Sequence, residues 1–246
     1  MGMTRKDGRS AGSVRAVRIQ RGCIKHALGS CLFEMGDTRV LCTVTSEEKV
    51  PQFLAGSGSG WVTAEYGMLP SSTIQRVART SHLSGRSQEI RRLIGRSLRG
   101  IVDLKKLGER TLIVDCDVIQ ADGGTRTASV NGAFVALVDA LRRLKEKKQV
   151  SLPVLRDYLG AVSGGIVQGV ALVDLDYQED SEASVDCNVV MTGRGLLVEV
   201  QATGEGRPFS SQEFDQIVRL CADGIRQVLS VVKGAVGDDA ASLLGK

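Results

Sequence analysis

The sequence predicts an α+β fold, with strands and helices in blocks rather than in strict alternation. Three observations carry this reading. The first third alternates apolar and polar residues at the period of strands. Two stretches then repeat apolar residues at helical spacing. Four more strand-like runs follow, ahead of a last helix with a clear cap.

Residues 13–21 read as a strand, with Val14, Ala16, Val17 and Ile19 set among arginines. Residues 31–35 and 39–44 are β-rich runs on either side of the turn pair Gly36-Asp37, and predict a hairpin. Residues 56–60, Gly-Ser-Gly-Ser-Gly, predict a flexible loop. A helix is expected over 88–104, where Ile90, Leu93, Ile94, Ile101 and Val102 make the apolar stripe. Ser87 suits its cap and Glu89 its first turn. Residues 111–119 predict a strand with Asp115 and Asp117 on one face, opposite Val114, Cys116 and Val118. A second helix is expected from about 127 to 147, with Val130, Phe134, Leu137, Val138, Leu141 and Leu144 along one stripe. Strands are predicted at 160–167, 170–176, 184–191 and 196–202, with turns at Gln168-Gly169 and at 193–195. Ser210 and Glu213 form a capping box for the last helix, whose stripe runs through Phe214, Ile217, Cys221, Ile225, Val228 and Leu229.

The chain has 246 residues, of which 42% are hydrophobic and 24% charged. This is the composition of a soluble globular protein, one large domain or two small fused ones. No apolar run approaches the ~18 residues of a membrane span. The polar start lacks the apolar segment of a secretory signal, and Lys6 stands where an acylation motif at Met1-Gly2 wants Ser or Thr. A cytoplasmic protein without membrane partners is expected. The six cysteines have no C-x-x-C spacing and lie among apolar neighbours, as buried reduced thiols do. With only His26 and His82, a histidine-built metal site or a Cys/His protease is disfavoured.

Net charge is +4, but its distribution is uneven. Residues 76–110 hold ten Lys/Arg against three acids, and residues 174–186 hold six acids and no base. Such tracts suit a polyanion bound by arginines and a divalent cation bound by carboxylates; they equally suit two solvated faces. Residues 121–127, Ala-Asp-Gly-Gly-Thr-Arg-Thr, join a strand to a helix. The glycines allow close backbone approach and the helix start offers free N–H groups, so Gly124, Thr125 and Arg126 can hold a phosphate. A plain glycine turn with a capping Thr fits the same residues. Arg86 is a second candidate at a helix start, relevant if the two starts converge. Asp180 and Asp186 share parity in an extended chain and can bind Mg²⁺ or Mn²⁺, or one can serve as general acid or base. The alternative is a polar hairpin loop at 178–184 whose acids face water. Arg76 and Arg79 can contact RNA phosphates or solvent. Trp61 and Tyr66 can stack on bases or pack in the core.

Together these motifs resemble the ribonuclease PH family, the phosphorolytic 3′-exoribonucleases also called tRNA nucleotidyltransferases. The likeness runs from Asp7-Gly8-Arg9 to the last helix, through the segments 60–70, 89–99, 115–127, 175–192 and 198–201. It implies a ribonuclease PH fold of β-α-β-α type, shared with the second domain of a small-subunit ribosomal protein. The whole of 1–246 would be one such domain, its phosphate-site half at about 10–150 and its acidic half at about 155–240. The resemblance implies that Arg86, Gly124, Thr125 and Arg126 bind inorganic phosphate. Asp180 and Asp186 would form the catalytic and Mg²⁺ (or Mn²⁺) centre, and Arg76 and Arg79 would contact tRNA. It further implies trimming of tRNA precursors and other RNAs to nucleoside diphosphates, by a homo-hexameric ring built as a trimer of dimers. Ser71 departs from the pattern, since many members carry arginine there, and Cys187 stands where Met is common. An active phosphorolytic nucleotidyltransferase is the expected function. The alternatives are a non-catalytic RNA-binding ring subunit of an exosome-like assembly and a hydrolytic nuclease.

Overall fold

The computed structural model describes residues 5–245. Residues 1–4, and with them the acylation reading at Met1-Gly2, lie outside the described residues. The described strands form two sheets. In the first, β1 (Val17–Arg21), β2 (Gly29–Met35) and β3 (Thr38–Glu47) make an antiparallel meander, and β3 pairs in turn with β5 (Thr111–Gln120). β4 (Trp61–Met68) closes the edge, parallel to β5. A parallel neighbour needs a crossover, and α1 (Gly85–Ile101) with the short α2 (Leu104–Leu107) supplies it. The second sheet is antiparallel, in the order β7-β6-β8-β9. Its strands are β6 (Leu159–Val167), β7 (Val170–Val173), β8 (Ala183–Thr192) and β9 (Leu197–Gly204).

Between β5 and β6 runs α3 (Thr125–Glu146), which packs on β2 and β3 of the first sheet and on β6 of the second. A helix covered on both sides is apolar all round. The expected stripe is buried, and so are Ala128, Ala133, Ala136 and Ala140 beside it. One continuous core thus joins both sheets through α3. α5 (Ser211–Ala241) covers the second sheet with Ile217, Cys221, Ile225, Val228 and Leu229, and its helical path breaks at Gly237, where φ is 41°.

Several expectations need correction. The strand expected at 13–21 begins at Val17, because residues 13–15 turn aside to hydrogen-bond elsewhere: the Arg15 N–H donates to Asp174. The helix expected at 88–104 starts at Gly85 and ends at Ile101, and its cap is Ser84, whose side chain accepts from the Ser87 N–H. β4 had no predicted counterpart. The strand expected at 170–176 ends at Val173, where Asp174 takes a left-handed φ of 53°. The acidic run 178–184 is not a polar loop: α4 (Tyr177–Glu182) occupies it, closed by a capping box between Asp176 and Glu179. All six cysteines are free and five of them are buried.

Among the described residues no helix is long and apolar enough to cross a membrane.

Candidate active site

The start of α3 is the centre of the site. Gly123 and Gly124 both take positive φ, 72° and 63°, which favours glycine. A Cβ at Gly123 would stand 2.4 Å from the Leu175 carbonyl, so the loop presses directly on the segment leading into α4. Each of the other four α-helices is capped by a side chain: Ser84, Asp103, Asp176 and Ser210. Among the described residues only α3 begins on a glycine with no side-chain acceptor. Its first amides therefore remain available to an external anion.

Arg86, in the first turn of α1, and Thr125 and Arg126, in the first turn of α3, line one cavity of about 390 Å³. The two helix starts do converge. Across the cavity stand Asp180 of α4 and Asp186 of β8. Extended-chain parity does not bring these carboxylates together, since Asp180 sits on a helix and only Asp186 on a strand. They meet because α4 packs back against β6 and β8. All six residues expected to bind phosphate or metal thus line a single cavity. Arg76 lines an adjoining groove, whereas Arg79 lines a separate cavity with His82, Glu65, Asp115 and Asp117.

Arg126 is held loosely by acids at both ends, 3.6 Å from Asp186 and 3.7 Å from Glu89. Its Nε is buried with no hydrogen-bond partner among the described residues. Asp180 has its pKa raised by burial, against the pull of Arg126 and Arg86. Asp186 is raised by burial and by the negative charge of Asp180, against the same arginines. Two hard oxygen donors of this kind suit Mg²⁺ or Mn²⁺, which bind through one or two carboxylates and complete their shell with water and substrate phosphate. Among the described residues no group of three or more His, Cys, Asp or Glu stands together as a ligand set.

Other contributors were not singled out by sequence. Ser163 and Asn188 line the cavity from paired positions on β6 and β8. The signal for Ser163 was present: it is a lone hydroxyl in an otherwise apolar strand. Tyr66 is only 3% exposed, so it does not stack on bases; its hydroxyl lies 2.9 Å from Thr125 Oγ1. Trp61 packs under Arg99 and edge-on to Phe53. Behind the site, the Arg15 guanidinium donates to Asp174 at 2.7 and 3.0 Å, and to the carbonyls of Asp122 and Gly123. It ties the phosphate-type loop to the base of α4. Arg5 does the same for α4 itself, with both oxygens of Glu179 at 2.5 and 2.7 Å.

Residues 13–142 match domain 1 of the 3′ exoribonuclease family, and residues 157–223 match its domain 2. The chain belongs to the 3′ exoribonuclease family. Within it, the chain is 52% identical over 241 residues to ribonuclease PH of Moorella thermoacetica, covering 97% of this chain and 96% of that one. The fold is shared with solved exosome structures. One is the Archaeoglobus fulgidus exosome with RNA bound to the active site, at a TM-score of 0.78 and 23% identity, over 92% of each chain. Another is an archaeal exosome core, at a TM-score of 0.75 and 24% identity, over 93% of this chain and 91% of that one.

Proposed function

We propose that the chain is a phosphate-dependent 3′-to-5′ exoribonuclease of the ribonuclease PH type, trimming tRNA precursors and other RNAs. The observation that carries this reading is the single cavity in which an uncapped helix start and two arginines face two carboxylates. Orthophosphate sits on the first amides of α3, with the Thr125 hydroxyl and the guanidinium groups of Arg86 and Arg126 around it. These cations offset the repulsion between the attacking phosphate and the phosphodiester, and hold the two within reach. A phosphate oxygen attacks the last phosphorus and the bond to the preceding 3′ oxygen breaks. The terminal nucleotide leaves as a nucleoside 5′-diphosphate, and the proton of the attacking phosphate ends on the freed 3′ oxygen. No covalent nucleophile is needed. Asp180 and Asp186 would hold Mg²⁺ or Mn²⁺, which when bound stabilises charge on the scissile group and the leaving oxygen. Arg76, in the adjoining groove, and Arg79 contact RNA upstream of the cleaved bond. A homo-hexameric ring in the cytoplasm is the assembly proposed.

The test is incubation with Mg²⁺ and an RNA bearing an unpaired 3′ tail, with and without orthophosphate. Phosphate-dependent release of nucleoside diphosphates is expected. Monophosphates released without phosphate would mean hydrolysis, and binding without release would mean a scaffold subunit.

A further inference from the structure

Tyr177 is the first residue of α4 and is 61% exposed. An exposed aromatic is ordinary on a protein surface, so its position is what matters. Tyr177 lines the site cavity and also an adjoining groove of about 710 Å³, whose walls include Ile74, Arg76 and Gln120. Thr73 and Ala121 are likewise shared by the two, so the groove continues directly from the cavity. Ile74 on the groove is fully exposed.

The ring is largely exposed, whereas its backbone is firmly held. The capping box of Asp176 and Glu179 fixes the turn, and buried Arg5 pins Glu179. The Tyr177 N–H points to Asp122 at 3.4 Å. Asp180 lies three residues on, the spacing that puts two side chains on one helix face. A phosphodiester placed between Arg126 and Asp180 therefore carries its flanking bases past the Tyr177 ring. Such a ring on rigid backbone loses little entropy on binding, and it accepts any base, since every base has a π-face.

Resting on the function proposed above, we propose that Tyr177 is a stacking platform for one of the last two nucleobases of an unpaired RNA 3′ end, independent of sequence. The subsite reads the presence of a base rather than its identity.

The experiment measures the Kd of a fluorescent single-stranded oligoribonucleotide, without phosphate, for wild type, Tyr177→Ala, Tyr177→Phe and Tyr177→Trp. Stacking predicts a rise of about 5- to 100-fold for the Ala variant and values near wild type for Phe and Trp. The second arm uses oligonucleotides with an abasic residue at the last or penultimate position. One of these should weaken wild type by a comparable factor and leave Tyr177→Ala almost unchanged. An unchanged Kd in Tyr177→Ala, or the same abasic penalty in both proteins, would overturn the platform. Release of nucleoside diphosphates by wild type reads the activity separately, and the KM for phosphate in Tyr177→Ala should stay within about twofold of wild type, because the ring is carried by α4 rather than by the start of α3.

Discussion

The starts of α3 and α4 face each other across one cavity and are built in opposite ways. α3 opens on Gly124, without a side-chain cap, and carries Arg126 in its first turn. α4 opens on Asp176, closed by a capping box with Glu179, and carries Asp180. The first leaves its positive end open to an outside anion, while the second satisfies its own amides and presents a carboxylate. The difference teaches that a helix start becomes a binding site when the chain withholds its own acceptor. The fold allows this because α3 is stabilised along its whole length by two sheets, whereas the one-and-a-half turns of α4 depend on their cap and on Arg5.

The largest expected effect comes from removing charge on the α4 side. Asp180→Asn or Asp186→Asn should lower turnover by about 1,000-fold or more while leaving the protein folded. Stability should move the other way. Because the folded-state pKa of Asp186 is raised by burial and by Asp180, its ionised form is a cost to folding at neutral pH. Asp186→Asn should therefore melt slightly higher than wild type at pH 7. That advantage should vanish as pH falls through the raised pKa to below the ordinary carboxylate value, where wild type is protonated too. A variant that melts lower at pH 7, or that retains turnover, would remove this assignment.

Next in size is the link between the two starts. Arg15 is 6% exposed and Asp174 1%, and the guanidinium also serves the carbonyls of Asp122 and Gly123. Arg15→Ala leaves a buried carboxylate with only Arg9 and the backbone N–H of residue 15 as partners. A loss of about 3–5 kcal/mol is expected, a fall in Tm of roughly 6–20 °C. Arg15→Lys should recover little of it, because an ammonium cannot reproduce the forked contacts. A melting temperature within 2 °C of wild type in Arg15→Ala would mean that the two sides are held together by other contacts.

On the α3 side, Arg126→Ala and Arg86→Ala should each raise the KM for phosphate by roughly 10- to 100-fold, the scale of one charge-assisted contact. The KM for RNA should change much less, and kinetics at varied phosphate separate the two. Equal rises in both constants would place these arginines on the RNA instead.

How far the sequence carried this picture depended on the range of each interaction. The first hairpin, the stripes of α1 and α3 and the capping box at Ser210 are local patterns, and they appear near their expected places. The Gly-Thr-Arg loop announced a helix start by its own composition. α4 was misread because a run of acids resembles a solvated loop, and its helix depends on Arg5, 174 residues away, bonding Glu179. β4 was missed because its residues make sense only beside β5, which arrives about 50 residues later. Tyr66 was considered for stacking because burial cannot be read from one aromatic. Arg15 looked like one more strand arginine, and only the tertiary fold sets it beneath Gly124.

The smallest expected effect sharpens the account of why α3 lacks a cap. Thr125 Oγ1 has one hydrogen to give, and within the chain its neighbour is the buried hydroxyl of Tyr66 at 2.9 Å. Burial pushes the Tyr66 pKa up, against the Thr125 hydrogen bond and the charges of Arg86 and Arg126, so the phenol keeps its proton at neutral pH. A protonated phenol can donate to Thr125 Oγ1 and leave the Thr125 hydrogen free for phosphate. Tyr66→Phe keeps the ring and removes only that donor. The KM for phosphate should rise about 2- to 10-fold, the range of one neutral hydrogen bond. The KM for RNA should hold, since Tyr66 lies in the core. If the phosphate KM of Tyr66→Phe equals that of wild type, Thr125 orients its hydroxyl unaided, and the bare amides and arginines alone define the anion site.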